Sequence, residues 1–525
     1  MTATLSDRLS SEFVNTPLTD YSSPANAAAQ REAVERVRNQ LGVSYPLIIH
    51  GEKIHTSATI TSINPARPDE VVGVLSSASR EDADKALAAA AEVFETWRFT
   101  PPEKRAQYLI DAAELMTQRR LELNAWLMFE TGKTWVEADA DVAEAIDFLN
   151  FYAREMWRLS QEQPITHIPG EENKLTYIPL GVGVVIPPWN FPMAIMAGMT
   201  TASVVAGNTV VLKPASTSAV IAARFVAIME EVGLPKGVIN FVPGSGSVIG
   251  DYLVADKRTR FIAFTGSRDV GLRINKLAAE HQPGQLWIKR AILEMGGKDA
   301  IVVDETADLD AAAAGIVSSA FGFQGQKCSA GSRAIIVAQV YDEVVAKALQ
   351  IAQKIVIGDP EVEGIGFGPV IDANAFQKIR EYIAIGQQEA TLALGGEDAG
   401  RAGYYIPPTI FTNVDGAARI AQEEIFGPVL AMIKASDFED AMHIANSTEY
   451  GLTGAVYSRD ETRLAHAAEV FHVGNLYFNR KCTGALVGAH PFGGFNMSGT
   501  DSKAGGRDYL LLFTQAKVVS AKKVN

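Results

Sequence analysis

Cysteine is nearly absent from this chain. Cys328 and Cys482 are the only two among 525 residues. A disulfide framework is thereby excluded for a molecule of this size, which fits a reducing compartment and makes the cytoplasm the expected location. The eight histidines are scattered, so the tight ligand cluster that a zinc site needs is missing and no metal is expected. Positive charge is also in deficit: 47 Lys and Arg against 61 Asp and Glu leave a formal charge of -14, which argues against non-specific nucleic-acid binding. Long apolar runs are lacking too. The longest, Met193 to Gly207, is short for a bilayer and is interrupted by Thr200, Thr201 and Ser203, so it reads as a buried helix and no membrane association is expected. The N-terminus carries neither the apolar core of a signal peptide nor a transit-peptide character.

What is present is a large apolar fraction, 47% of the residues, enough for the cores of several domains. Residues 1–44 read as a loosely attached lead-in that includes a polar helix around Ala27–Leu41. Ser79-Arg80-Glu81-Asp82 opens a helix, and Thr100-Pro101-Pro102-Glu103 supplies an N-cap, a first-turn proline and a capping-box Glu for a helix over about Pro101–Arg119. From residue 181 short β-branched runs alternate with helical segments. Val182–Ile186, Thr209–Leu212, Val238–Val242 and Phe261–Phe264 read as strands, with helices at Met193–Ala206, Ser218–Val232 and Arg268–Glu280. A second series follows Gly297: strands at Ala300–Val303, Ala334–Ala338 and Val429–Ile433, and helices at Leu309–Phe321, Val340–Ile355 and Phe438–Asn446. The pattern predicts an α/β protein of two doubly wound domains. The stretch Tyr152 to Ile178 contains Pro164 and Pro169-Gly170 and is expected to leave the main body as a hairpin.

Several positions carry potential chemistry. Cys328 lies in Gly325-Gln326-Lys327-Cys328-Ser329, a polar, glycine-containing setting in which the Lys327 ammonium would lower the thiol pKa if it approached. Cys482 has similarly polar neighbours, so composition does not choose between the two thiols. Glu294 ends the apolar run Ala291-Ile292-Leu293 before Gly296-Gly297, which places a carboxylate at a sheet edge open to a substrate; an ordinary capping role is the alternative. Phe264-Thr265-Gly266-Ser267 and Gly244-Ser245-Gly246 each follow a strand and open a helix, as a phosphate-binding turn requires. The latter has one residue more than the usual dinucleotide fingerprint before Gly250, and a turn without a ligand would look the same. Lys213, at the end of Thr209–Leu212, stands where a ribose edge would lie or is simply solvated.

Taken together, Pro188-Trp189-Asn190-Phe191-Pro192, Lys213-Pro214-Ala215-Ser216, Phe264-Thr265-Gly266-Ser267, Leu293-Glu294-Met295-Gly296-Gly297, Gly325-Gln326-Lys327-Cys328, Glu424-Ile425-Phe426-Gly427-Pro428 and Pro491-Phe492-Gly493-Gly494 resemble the aldehyde dehydrogenase superfamily, in the family's own order and over residues 45–520. A narrower likeness lies in Asn479 to Gly488, in Ser498-Gly499-Thr500-Asp501-Ser502-Lys503-Ala504-Gly505-Gly506 and in Val136 to Glu144. These look like the bacterial monofunctional branch that oxidises L-glutamate γ-semialdehyde, the open form of 1-pyrroline-5-carboxylate, to glutamate in proline catabolism. Arg507 departs from that branch, which often has Pro there.

The resemblance implies a Rossmann-like NAD-binding domain from residues 45–157 and 179–292 and a catalytic domain over 293–496. A small β oligomerisation hairpin, Gln161–Ile178 within 158–178, and a C-terminal strand, Gln515–Lys522 within 497–525, would form the assembly element. It implies Cys328 as nucleophile, Glu294 as the base that activates water, and Asn190 with the Cys328 N–H as oxyanion donors. Trp189, Gly246 and Ser267 would serve the pyrophosphate side of NAD, and Lys213 and Ser216 the adenosine ribose. Glu424 would hold the nicotinamide ribose, with Phe426 against the nicotinamide end. Because Ser216 replaces the Glu of many NAD-restricted relatives, NAD is expected to be preferred and NADP tolerated. Ser329, Gly484 and Ala485 would take the substrate carboxylate and Phe492 its aliphatic stem, with Phe191 and Lys327 also on the substrate side. The implied partners are a small semialdehyde and further copies of the chain, at least a dimer; contact with a proline-oxidising enzyme is not readable. Succinic semialdehyde is the rival substrate, a catalytically silent structural protein the rival class.

Overall fold

The computed structural model describes residues 4–397 and 399–523, so residues 1–3 of the lead-in and 524–525 of the tail lie outside it. Two seven-stranded sheets organise the molecule. The first runs in the order Arg290–Glu294, Thr259–Thr265, Val182–Ile186, Thr209–Leu212, Ile239–Phe241, Leu47–Ile49 and Glu52–Ile54. Its first five strands are parallel, and the last two join antiparallel. The chain builds outward from Val182–Ile186 to Ile239–Phe241, then returns to add Thr259–Thr265 on the opposite side. That reversal leaves a crevice outside the carboxyl ends of Val182–Ile186 and Thr259–Thr265, the place where open α/β sheets bind ligands.

The second sheet runs Thr391–Leu394, Thr409–Thr412, Val429–Ala435, Arg333–Val337, Ala300–Val303, Thr453–Tyr457 and Asn475–Phe478. All are parallel except the antiparallel edge strand Thr391–Leu394. Its central strands are mostly apolar, Ala300–Val303 without a break and Arg333–Val337 after its first residue, because helices cover both faces. The apolar stretch after residue 193 is the helix Ala194–Val205, with every side chain except Ile195 buried; it is a core helix. Among the described residues no helix is long and apolar enough to cross a membrane.

Three local expectations change. The helix predicted from Thr100 is Pro102–Gln118, with Pro101 as an N-cap that makes no side-chain bond. Pro101 precedes another proline, which drives it to extended backbone (ψ 141°) and moves the start one residue on. The lead-in is not loose. Thr19 gives Asp139 two hydrogen bonds at 2.7 and 2.8 Å, and Asn15 and Thr16 bind Asp147 at 2.9 and 2.7 Å, so two carboxylates on the helix Trp135–Ser160 hold its backbone down. That helix also absorbs the start of the expected hairpin. Leu149, Tyr152, Ala153, Met156 and Leu159 keep helical spacing and are buried, and residues 161–170 carry no strand. The protruding ribbon is instead made by distant segments: Glu171–Pro179 pairs antiparallel with Thr514–Lys522, in register from Thr514 opposite Pro179 to Lys522 opposite Glu171.

Candidate active site

The segment carrying Cys328 begins where the helix Leu309–Phe321 stops. Phe323, Gln324 and Gly325 follow with φ of 48°, 56° and 67°, all left-handed. Each L side chain in that region costs about 1–2 kcal/mol, so strained backbone stands immediately before the thiol. Gly325 is required: a Cβ there would fall 2.4 Å from the Gly427 carbonyl oxygen. The turn re-aims the chain, leaving Gln326 buried and Cys328 half-buried.

The electrostatics at Cys328 correct one expectation. The Lys327 ammonium does not serve the thiol; it pairs with Glu137 at 2.9 Å. The thiol pKa is pushed up, first by burial and then by the carboxyl groups of Asp299, Glu294 and Glu424, against which the Ser329 backbone hydrogen bond acts. Asn190 follows the switch-point strand and is 3% exposed. Its Nδ2 donates to the Gln326 carbonyl at 3.0 Å, and Gln326 is itself fixed because its Oε1 accepts the Ile371 N–H at 2.9 Å. The Asn190 amide is thus pinned two residues upstream of the sulfur, with its second N–H to spare.

Glu294 does end an edge strand, Arg290–Glu294. Its Oε1 accepts the Ser502 hydroxyl, while Oε2 is buried with no hydrogen-bond partner among the described residues. Burial pushes the carboxyl up to about 8, opposed by Ser502 and the nearby Lys503 ammonium.

On the crevice side, Trp189 and Phe426 meet with ring centroids 5.4 Å apart. Ser267 is the N-cap of the helix Arg268–Ala279 and makes no side-chain cap bond, which leaves its hydroxyl for another acceptor. Gly246 starts a helical turn after Ile239–Phe241, and a Cβ there would meet only open space. Lys213 is not solvated: it is 7% exposed, burial pushes it down to about 8, and among the described residues its Nζ reaches only the Pro214 carbonyl at 3.3 Å. Ser216 opens the short turn Ser216–Ser218 beyond the same strand. Glu424 accepts the Gly297 N–H at 3.1 Å, and a Cβ on Gly296 would strike its carboxylate at 2.3 Å. An open phosphate turn, a buried and almost unpartnered lysine and a carboxylate seated on two glycines suit a dinucleotide laid along the crevice.

On the other side of Cys328, the Ser329 carbonyl accepts a hydrogen bond from Cys482 Sγ at 3.4 Å. Cys482 is fully buried; the two cysteines, indistinguishable by neighbours, differ by depth. The loop that follows is close by, because Lys481 senses both Lys327 and Glu137. Gly484 is left-handed at φ 78°, and Arg480 donates to the carbonyls of Thr483 and Gly484, so Gly484 and Ala485 sit in a tied turn. Phe492 exchanges two backbone hydrogen bonds with Ala504 at 2.8 and 2.7 Å. The Phe191 ring carries the Lys133 ammonium 4.0 Å from its centroid and that of Lys327 at 5.9 Å.

A family model, described as the aldehyde dehydrogenase family, matches residues 53–519. The chain belongs to the aldehyde dehydrogenase family. Among its relatives, a 1-pyrroline-5-carboxylate dehydrogenase of Geobacillus kaustophilus is 58% identical over 504 residues, covering 96% of this chain and 98% of that protein. A solved 1-pyrroline-5-carboxylate dehydrogenase from Thermus with bound NAD superposes with a TM-score of 0.96 at 50% identity, each chain fully covered. Proline utilization A from Bdellovibrio bacteriovorus matches with the same TM-score of 0.96 at 44% identity, but this chain spans 54% of it.

Within this aldehyde dehydrogenase the sequence missed the groups that hold the candidate residues in place. Gln326 stands inside the cysteine motif, yet what it contributes is a backbone carbonyl that fixes Asn190. Glu137 lies within Val136 to Glu144, but its pairing with Lys327 spans 190 positions and has no local signal. Lys298, which follows Gly296-Gly297, is 2% exposed, and burial pushes it down to about 7 beside Arg333, Glu424 and Asp299; the apolar positions just beyond it are the only hint of that depth.

Proposed function

We propose that this chain oxidises L-glutamate γ-semialdehyde, formed by ring opening of 1-pyrroline-5-carboxylate, to L-glutamate with NAD. The observation that carries the reading is the convergence of Cys328, Asn190 and Glu294 beside a tied loop at Gly484 and Ala485, in a chain so similar over its full length to enzymes of that name.

The Cys328 sulfur adds to the aldehyde carbon. Because the thiol pKa is raised and Lys327 is engaged by Glu137, the thiol proton passes to solvent, which reaches the half-buried Cys328, as the bond forms, and Glu294 is kept for the second step. The oxyanion is held by Asn190 Nδ2 and the Cys328 N–H, a preorganised pair of donors. NAD, when bound, supplies the hydride acceptor; Lys213, Ser216, Gly246, Ser267, Trp189, Glu424 and Phe426 hold it. The thioester left on Cys328 is hydrolysed by water that ionised Glu294 deprotonates. The Ser329 hydroxyl with the Gly484 and Ala485 N–H groups receives the substrate's carboxylate, and backbone donors do so without burying a second charge. Phe492 and Phe191 flank the stem, and Lys327, its charge met by Glu137, lies beside Phe191 on the same side.

The ribbon Glu171–Pro179 with Thr514–Lys522 exposes Val518 and Val519 at 59% and 51% and leaves strand edges unpaired. We read it as the assembly element of at least a homodimer, working in the reducing cytoplasm that two free thiols suit. Initial rates of NADH formation across a panel of glutamate, succinic and unsubstituted semialdehydes test the substrate assignment. Glutamate semialdehyde is expected to give the highest kcat/KM and Cys328→Ala none. A preference for succinic semialdehyde would overturn it.

A further inference from the structure

The motif Ser498 to Gly506 marked the narrower likeness, yet no chemical role fell to it. The structure wraps it around Glu294. Met295 N–H donates to the Ser498 carbonyl at 2.8 Å, and Thr500 N–H to the Leu293 carbonyl at 2.9 Å. The Leu293 N–H donates in turn to Thr500 Oγ1 at 3.0 Å, and Glu294 forms an antiparallel bridge with Gly499. The strand that ends in the proposed base is therefore gripped on both sides of that residue.

At the centre of the wrap, Ser502 is 4% exposed and its hydroxyl donates to Glu294 Oε1. Its two neighbours are both left-handed non-glycine residues, Asp501 at φ 51° and Lys503 at φ 53°. Such backbone persists only where its surroundings over-determine it, and here they do. Lys503 Nζ donates to the carbonyls of Gly474 and Gly493 at 2.7 and 2.8 Å and pairs with Asp501 at 3.0 Å. The Lys503 ammonium is spent on those contacts, so the hydrogen bond to Glu294 falls to Ser502. Asp501 lies at the surface and reaches Glu294 only through its field.

We propose that Ser502 is a positioning residue for the base: by anchoring Glu294 Oε1 it leaves Oε2 as the free acceptor, directed at the water that attacks the Cys328 thioester. This rests on the role given to Glu294 above. In the step itself the water oxygen bonds to the acyl carbon and the water proton passes to Oε2. The carbon–sulfur bond then breaks, with its electron pair returning to Cys328 as thiolate. Oε2 is buried and unpartnered, as an acceptor waiting for that proton should be, and a hydroxyl donor on Oε1 favours the ionised form the step needs.

The test is rapid mixing of the NAD-saturated enzyme with glutamate semialdehyde, across pH, for the native chain, Ser502→Ala, Ser502→Thr and Glu294→Gln. Ser502→Ala is expected to form about one NADH per subunit in a fast burst and then turn over slowly, because acylation does not use Ser502. At neutral pH its steady rate falls about 10-fold, and the midpoint of its pH profile rises by about one pH unit, so that alkaline solution restores turnover. Ser502→Thr, which keeps a hydroxyl, regains most of the rate. A folded Ser502→Ala enzyme with the native burst and pH profile overturns the proposal, as does slow turnover at every pH that threonine fails to rescue. Rapid steady turnover by Glu294→Gln removes the role of Glu294 itself, a distinct failure.

Discussion

Trp189 and Phe426 meet edge to face, centroids 5.4 Å apart and planes at 80°, although one follows a strand of the first sheet and the other precedes a strand of the second. Phe426 reaches that position through a left-handed backbone, φ 59°. The contact bridges the two sheets at the crevice, and candidate residues come from both walls. Asn190 comes with Trp189, and Glu424 with Phe426.

Asn190→Ala removes one oxyanion donor. Loss of such a donor costs on the order of 100- to 1,000-fold in turnover, and the expected result is a fall of that size in kcat with only a small fall in melting temperature, from the Gln326 carbonyl left unpaired. Because Asn190 is buried against the Gln326 carbonyl, a drop in melting temperature comparable to the drop in rate would assign it to folding instead.

Glu294 is held protonated up to about 8 by burial. Its folded-state pKa lies above the ordinary carboxylate value, so the base form is absent in acid and appears as pH rises through that value. The rate of thioester hydrolysis is expected to climb between roughly pH 6 and 9 with its midpoint near the carboxyl's own. A midpoint in the ordinary carboxylate range, read from kcat against pH, would contradict the buried setting.

Ser216→Glu should abolish use of NADP and spare NAD. A carboxylate about 5 Å from a 2′-phosphate charge, at an effective dielectric of about 20, is repelled by about 3 kcal/mol, or roughly 100-fold in kcat/KM. Equal losses with both cofactors would show that the turn Ser216–Ser218 does not face the ribose edge.

Lys133 and Asp141 are an ion pair at 3.3 Å, both fully buried. Lys133 also lies over the rings of Phe191 and Phe323, 4.0 and 4.4 Å from their centroids. Lys133→Met is expected to cost about 3–5 kcal/mol in urea unfolding because it strands a buried carboxylate. Adding Asp141→Asn should recover much of that loss, since the amide oxygen can still accept the Ala194 N–H that Asp141 now receives at 2.8 Å. Strictly additive losses would mean that the two charges do not depend on each other.

Much of this was legible because the fold is local where it matters. Parallel strands buried on both faces are continuous apolar runs, so Val182–Ile186, Thr209–Leu212 and Ala300–Val303 appear in the structure with the bounds read from sequence. The ribbon is half-legible: its C-terminal strand is expected from sequence, but its partner Glu171–Pro179 reads as one arm of a hairpin, and pairing over more than 300 residues leaves no periodic trace. Charges misled for the same reason. Lys327 stands next to Cys328 in sequence, and only the folded chain brings Glu137 to neutralise it. Ser502 was visible as a letter in a motif, but its bond to Glu294 crosses 208 positions.

The division of labour between Cys328 and Glu294 is tested most directly by stopped-flow NADH formation with Glu294→Gln under excess glutamate semialdehyde and NAD. The expected result is a burst of about one NADH per subunit and then a steady rate reduced at least about 100-fold, with glutamate release equally slow and no burst in Cys328→Ala. A Glu294→Gln enzyme with no burst, or one that turns over at the native rate, would contradict it.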